Sequence, residues 1–71
     1  MNAIEEIRRT LYESYKWLYE KSVENVKQCL AWARERRAQG HPGWAAHWLE
    51  SANFSYRMAM RYKRSMKNYS N

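Results

Sequence analysis

The chain of 71 residues holds one cysteine, one proline and two glycines. Cys29 has no second thiol to pair with, so the disulfide that often staples a domain this small is excluded. Nothing beside it promises a depressed pKa, and a lone thiol on an apolar helical face reads as a small buried hydrophobe. No apolar run approaches the roughly 20 residues that span a bilayer, and the N-terminus lacks an apolar leader segment. These absences predict a soluble, cytoplasmic protein without a transmembrane segment.

Patterns that carry chemistry are also missing. There is no glycine-rich phosphate loop, and no serine, cysteine or lysine is flanked by a recognisable base and orienting group. His41 and His47 stand six apart with no cysteine or carboxylate at ligand spacing, too few donors for a zinc or iron site. Glu50, three residues beyond His47, is placed for an ordinary i, i+3 hydrogen bond and no more. The chain is therefore expected to be no enzyme and to need no cofactor or metal. With at most one small core worth about 3 to 5 kcal/mol, oligomerisation is the remaining route to stability.

Acid is scarce in one half only. Up to Ala33, Arg8, Arg9, Lys16, Lys21 and Lys27 are matched by Glu5, Glu6, Glu13, Glu20 and Glu24. From there on, Arg34, Arg36, Arg37, Arg57, Arg61, Lys63, Arg64 and Lys67 face only Glu35 and Glu50. The whole formal charge of +6 thus resides in the second half, with Tyr56, Tyr62, Tyr69 and three methionines interleaved. Such a surface expects an acidic partner.

What the chain does have is helical periodicity. Both glycines and the proline fall within Gly40, His41, Pro42 and Gly43, leaving the flanks free of strong breakers. This predicts an all-α fold, an antiparallel two-helix hairpin forming one domain over residues 1–71, with helices at about 2–39 and 44–69 and a turn at 40–43. Arg34, Arg36 and Arg37 before Gly40 suit a helix C-terminus with a left-handed glycine cap. Pro42 suits the first turn of the second helix.

The first helix carries Ile4, Ile7, Leu11, Tyr15, Leu18, Val26, Cys29 and Ala33 on one stripe, broadened by Tyr19, Val23 and Leu30 and interrupted by Ser22. Its other face, with Glu6, Arg9, Glu13, Lys16, Glu20, Glu24 and Lys27, is solvated. In the second helix Ala45, Trp48, Leu49, Ala52, Tyr56, Ala59 and Met66 are expected inward, and Glu50, Asn53, Arg57, Arg61 and Arg64 outward. Ala45, Ala52 and Ala59 recur every seven residues, which lets another helix backbone come close.

A turn centred between residues 41 and 42 pairs positions whose numbers add to roughly 82 or 83, so residues 2–10 overhang. A lone straight hairpin would leave Ile4 and Ile7 in water. Dimerisation into a four-helix bundle, with Ile4, Ile7 and Leu11 at the interface, would bury them; a bend near Ser14 or Ser22 is the alternative.

Two surfaces are candidate contact sites. At the loop end, Trp44 and Trp48, next to Trp32 across the hairpin, either close the bundle as core, the reading that suits Trp48, or, for Trp44 beside Arg34, Arg36 and Arg37, stay partly exposed with the composition of a protein-binding hot spot. Along the second helix Arg57, Arg61 and Arg64, continued by Lys67, form a ridge that could track phosphates, with Tyr62 and Tyr69 alongside to stack on bases. The bland alternative is a solvated face partly neutralised by Glu20 and Glu24. A helix-turn-helix reading lacks a third helix, and a membrane-surface reading competes with packing on the first helix. The leading expectation is a homodimeric module that occupies an acidic surface of a partner protein; the alternative is a sequence-nonspecific RNA- or DNA-binding protein.

The segment from Ala33 to Tyr62, ARERRAQGHPGWAAHWLESANFSYRMAMRY, resembles the pattern of basic helix, Gly-His-x-Gly-Trp turn and aromatic-basic helix in short accessory proteins of temperate phages. The likeness covers under half of the chain, and its moderately specific element is the turn. It implies a non-enzymatic protein, made early in infection, that binds and redirects a host component.

Overall fold

A computed structural model describes residues 2–70 as two helices, α1 (Ala3–Ala38) and α2 (Pro42–Tyr69), packed as an antiparallel hairpin. The ends of α1 are held by local chemistry. Asn2 is the N-cap, and its side chain accepts a hydrogen bond from the Glu5 backbone N–H at 2.8 Å. Glu5 and Glu6 complement the positive dipole end, and Arg36 and Arg37 the negative one. At the C-terminus Gly40 takes φ 77°, the left-handed conformation expected of it. The Gly40 N–H reaches Arg37 O at 3.1 Å and the His41 N–H reaches Arg36 O at 2.9 Å, the paired bonds of a Schellman cap.

The second helix begins at Pro42, ahead of the expected position 44. Proline in the first turn has its φ already set and no N–H to leave unpaired, so nothing delays the helix. His41 is the N-cap but makes no side-chain capping bond. With only residues 39–41 between the helices, the register tightens as well. Asn25 meets Ser55 and Trp32 meets Trp48, pairs whose numbers add to 80 and not to the expected 82 or 83.

The seam is built from small side chains. Cys29, Ala33, Ala45, Ala52 and Ala59 are buried, and Ser55 is the one buried polar residue among the described residues. The inward face of α2 is a strict seven-residue repeat: Ala45, Ala52, Ala59 and Met66, alternating with Trp48, Ser55, Tyr62 and Tyr69. This narrow seam corrects the expected stripe. Leu49 and Tyr56, assigned inward, are 38% and 54% exposed, because a single partner helix covers only the seam and leaves the flanking positions outside. Ser55 takes the buried place instead, where its hydroxyl accepts a hydrogen bond from Asn25 Nδ2.

The first helix runs without interruption past Ser14 and Ser22, and the molecule is a rod 57 Å long and 14 Å wide. At 1.5 Å per residue, 36 residues need about 54 Å, so α1 is straight and the overhang does not fold back. Residues 2–10 are all exposed, and Ile4 and Ile7 stand 71% and 58% in solvent.

Candidate functional site

At the loop end four rings run from seam to surface. Trp32 lies against Trp48 with centroids 4.5 Å apart, His47 stands edge-on to Trp48 at 5.0 Å, and Trp44 stands edge-on to His47 at 5.9 Å. Trp48, expected in the core, is only half-buried and Trp32 is 38% exposed, because the seam closes on small side chains; Trp48 Nε1 is buried with no hydrogen-bond partner among the described residues. Trp44 ends the series 61% exposed. His47 is thus engaged by indole rings, and among the described residues it makes no hydrogen bond to Glu50. Arg34, Arg36 and Arg37 are exposed around the end of α1; Arg36 is tied down through Gln39 Oε1 at 3.1 Å, and Gln39 in turn donates to Glu35 at 3.3 Å.

Along α2 the side chains of Arg57, Arg61, Arg64 and Lys67 all stand in solvent. Neutralisation by the facing helix is not in place. Among the described residues no ion pair joins this ridge to Glu20 or Glu24, and Glu24 pairs with Lys21 of its own helix at 3.5 Å. These charges lie off the seam, on the exposed outer sides of their own helices. The tyrosines also differ from expectation. Tyr62 and Tyr69 fall on the seam repeat, so their rings turn inward onto Tyr15, at 6.3 Å and 6.0 Å, the latter within 4° of parallel. They are not free to stack on bases.

Two exposed aromatics escaped the sequence reading. Trp17 is 58% exposed with the Lys21 ammonium 5.8 Å from its ring centroid, and Phe54 is 66% exposed. Each lies off the apolar stripe, Trp17 between Glu13 and Glu20 and Phe54 ahead of Arg57. A large ring set among charges was the available signal. Shallow grooves connect them: one lined by Thr10, Glu13, Ser14, Trp17 and Leu18, the next by Leu18, Lys21, Asn25, Phe54 and Met58 among others, and a third reaching His47 and Glu50. Leu18, then Asn25, Phe54 and Ser55, are shared, so the track along this side is continuous.

Of the expected interface residues, Ile4 and Ile7 lie exposed on the overhang and Leu11, half-buried, where the seam begins. Among the described residues there is no group of three or more histidine, cysteine or carboxylate side chains able to hold a metal, and no helix is long and apolar enough to cross a membrane. The loop-end arginines with Trp44, the α2 ridge and the aromatic residues Trp17 and Phe54 are all exposed on the hairpin. No protein-family model, curated protein or solved structure matches the chain.

Proposed function

We propose that the protein is a non-enzymatic binding module, homodimeric as a four-helix bundle, that acts by stoichiometric occupancy of an acidic surface on a partner protein. One observation carries this reading: the buried apolar residues are Cys29 and four alanines, while Ile4, Ile7, Trp17, Trp44, Phe54 and Tyr56 are each more than half exposed. Side chains large enough to make a core stand outside it. The area agrees: the chain exposes 5698 Å², whereas a compact monomer of 8.7 kDa exposes about 4700 Å². The excess, about 1000 Å², is what one partner of a standard interface covers, about 800 Å².

Dimerisation accounts for the overhang, and the remaining charge accounts for the second partner. Trp44 with Arg34, Arg36 and Arg37 supplies an aromatic anchor ringed by cations, and Arg57, Arg61, Arg64 and Lys67 supply a positive edge. The likeness of the turn region to phage accessory proteins is in keeping with a role of this kind. The unneutralised ridge favours one other reading, a sequence-nonspecific nucleic-acid binder using phosphate contacts, though Tyr62 and Tyr69 are lost to it as stacking platforms.

Size-exclusion chromatography with light scattering at physiological salt, on protein taken directly from cells, tests both readings. A mass of twice 8.7 kDa with a protein-like 260/280 nm ratio is expected. A monomer would overturn the bundle. Excess absorbance at 260 nm that is lost in high salt, and lost again on replacing Arg57, Arg61 and Arg64 with glutamine, would put nucleic acid first.

A further inference from the structure

The seam has two edges, and they differ. On α1 the row Ile4, Leu11, Leu18, Asn25 and Trp32 recurs every seven residues, and on α2 the row Trp44, Ser51, Met58 and Ser65 does the same. Rows at that interval run along the axis of a helix packed on a partner. Asn25 donates to Ser55, Trp32 lies on Trp48, and a shallow groove is lined by Leu18, Asn25, Phe54, Met58 and Tyr62, with Lys21 on its α1 side. Both rows therefore follow the same edge. Neither holds a charge, whereas the rows along the other edge are interrupted by Lys16 and Arg37 on α1 and by Lys63 on α2.

The rims of the uncharged groove are cationic at its middle. Lys21 stands on the α1 rim; Arg61, seven residues beyond Phe54, stands on the α2 rim, and both are exposed. By the register that pairs Asn25 with Ser55 they are level to within about two residues, or ~3 Å of rise. None of the groove's lining residues is acidic. Lys21 holds Glu24 through an exposed contact of 3.5 Å, which a better-placed carboxylate displaces at little cost.

Resting on the reading of a partner protein with an acidic surface, we propose that this groove takes one amphipathic α-helix of that partner. Its apolar stripe lies on Leu18 and Met58, its carboxylates meet Lys21 and Arg61, and the result is a three-helix bundle. Because the alanine seam holds the two helices close, the residues flanking the seam are the ones a third helix meets. Leu18 and Met58 are half-buried there, and Phe54, 66% exposed, extends the apolar wall. Recognition is then of the helix-in-groove kind, with apolar anchors for affinity and charge for the choice of partner. A second copy of this chain does not suit the middle of the groove. A two-fold along the rod sets Lys21 of one copy on Arg61 of the other, and a two-fold across its middle sets Lys21 on Lys21, cation on cation in either case. A dimer joined at the overhang, through Ile4 and Ile7, leaves this stretch free.

The probe is a synthetic helix of about 20 residues, ~30 Å long, with leucine at every third or fourth position and glutamate on both sides of the leucine stripe in its central turns. Its control has lysine at the glutamate positions. Titrated into the full isotope-labelled chain, the glutamate peptide should shift the amide resonances of Leu18, Asn25 and Met58, and the lysine peptide should bind at least tenfold more weakly. Lys21→Glu with Arg61→Glu, both exposed and off the seam, should reverse that preference with helicity unchanged. Leu18→Glu with Met58→Glu should weaken the glutamate peptide at least tenfold while the mass in light scattering stays the same. A mass that halves would give the groove to a second copy and overturn the proposal, as would equal binding of the two peptides. Binding instead to vesicles of phosphatidylglycerol, with the same resonances affected, would assign the groove to lipid and overturn it too. Shifts confined to Trp44 and the loop-end arginines, or to Arg57, Arg64 and Lys67, would overturn the groove and leave the acidic-partner reading in place. No binding of the glutamate peptide at any surface would overturn both.

Discussion

The closed end of the hairpin and its open end are held together by different means. Near the turn, Cys29 and Ala33 face Ala45 and Ala52, all 5% exposed or less, so the helices approach closely and dispersion between tightly fitted surfaces carries the contact. Toward the chain ends Tyr15 lies between Tyr62 and Tyr69, all three half-buried, and beyond them residues 2–10 have no helix opposite. Small residues leave no slack and admit no enlargement; stacked rings keep an edge in water and tolerate truncation. The closed end should therefore set whether the chain folds, and the open end how it associates.

Ala52→Leu offers the sharpest break. Three extra carbons at a seam position only 5% exposed must push the helices apart, at a cost of about 2 kcal/mol or more. That is a large part of what a domain this size has, and thermal melting by circular dichroism should show most of the transition lost. A variant as stable as the parent would mean that the seam is loosely packed. Next in size, Ile4→Glu with Ile7→Glu should leave helicity intact yet halve the mass in light scattering, because these residues contact nothing that a lone hairpin needs. An unchanged mass would remove the overhang from the interface.

At the open end, Tyr15→Ala should cost about 1 to 2 kcal/mol, the loss of two ring contacts and part of a half-buried side chain. Hydrogen exchange should accelerate over the last two turns of α2 and not near the turn; uniform acceleration would erase the distinction between the ends. Gly40→Ala is expected to cost about 1 kcal/mol, since φ 77° is unfavourable for any residue with a Cβ although the space around it is open. Its effect should appear as a lower melting temperature with the oligomeric state unchanged.

Much of this organisation was legible from local rules. The breakers between Gly40 and Gly43 announced a hairpin, the arginines before Gly40 announced its cap, and the seven-residue spacing of Ala45, Ala52 and Ala59 announced a close approach. The stranded Ile4 and Ile7 followed from comparing helix lengths. The candidate surfaces were less legible. Leu49 and Tyr56 lie within the angular range that a 3.6-residue period assigns to an apolar face, and Trp17 and Phe54 lie among charges where that period expects solvent.

Periodicity along one helix reports which side is apolar, because every residue advances about 100° around the axis whatever lies opposite. That is why the helices, their caps and the direction of the seam could be derived residue by residue. Which apolar positions are covered depends on how close the second helix comes and at what level, and both are properties of the pair. The alanines draw α2 in until only a seam is buried, and the short reversal at residues 39–41 sets Asn25 on Ser55 and turns Tyr62 and Tyr69 onto Tyr15. From those two circumstances, distance and register, come the exposed tryptophans and the sequestered tyrosines.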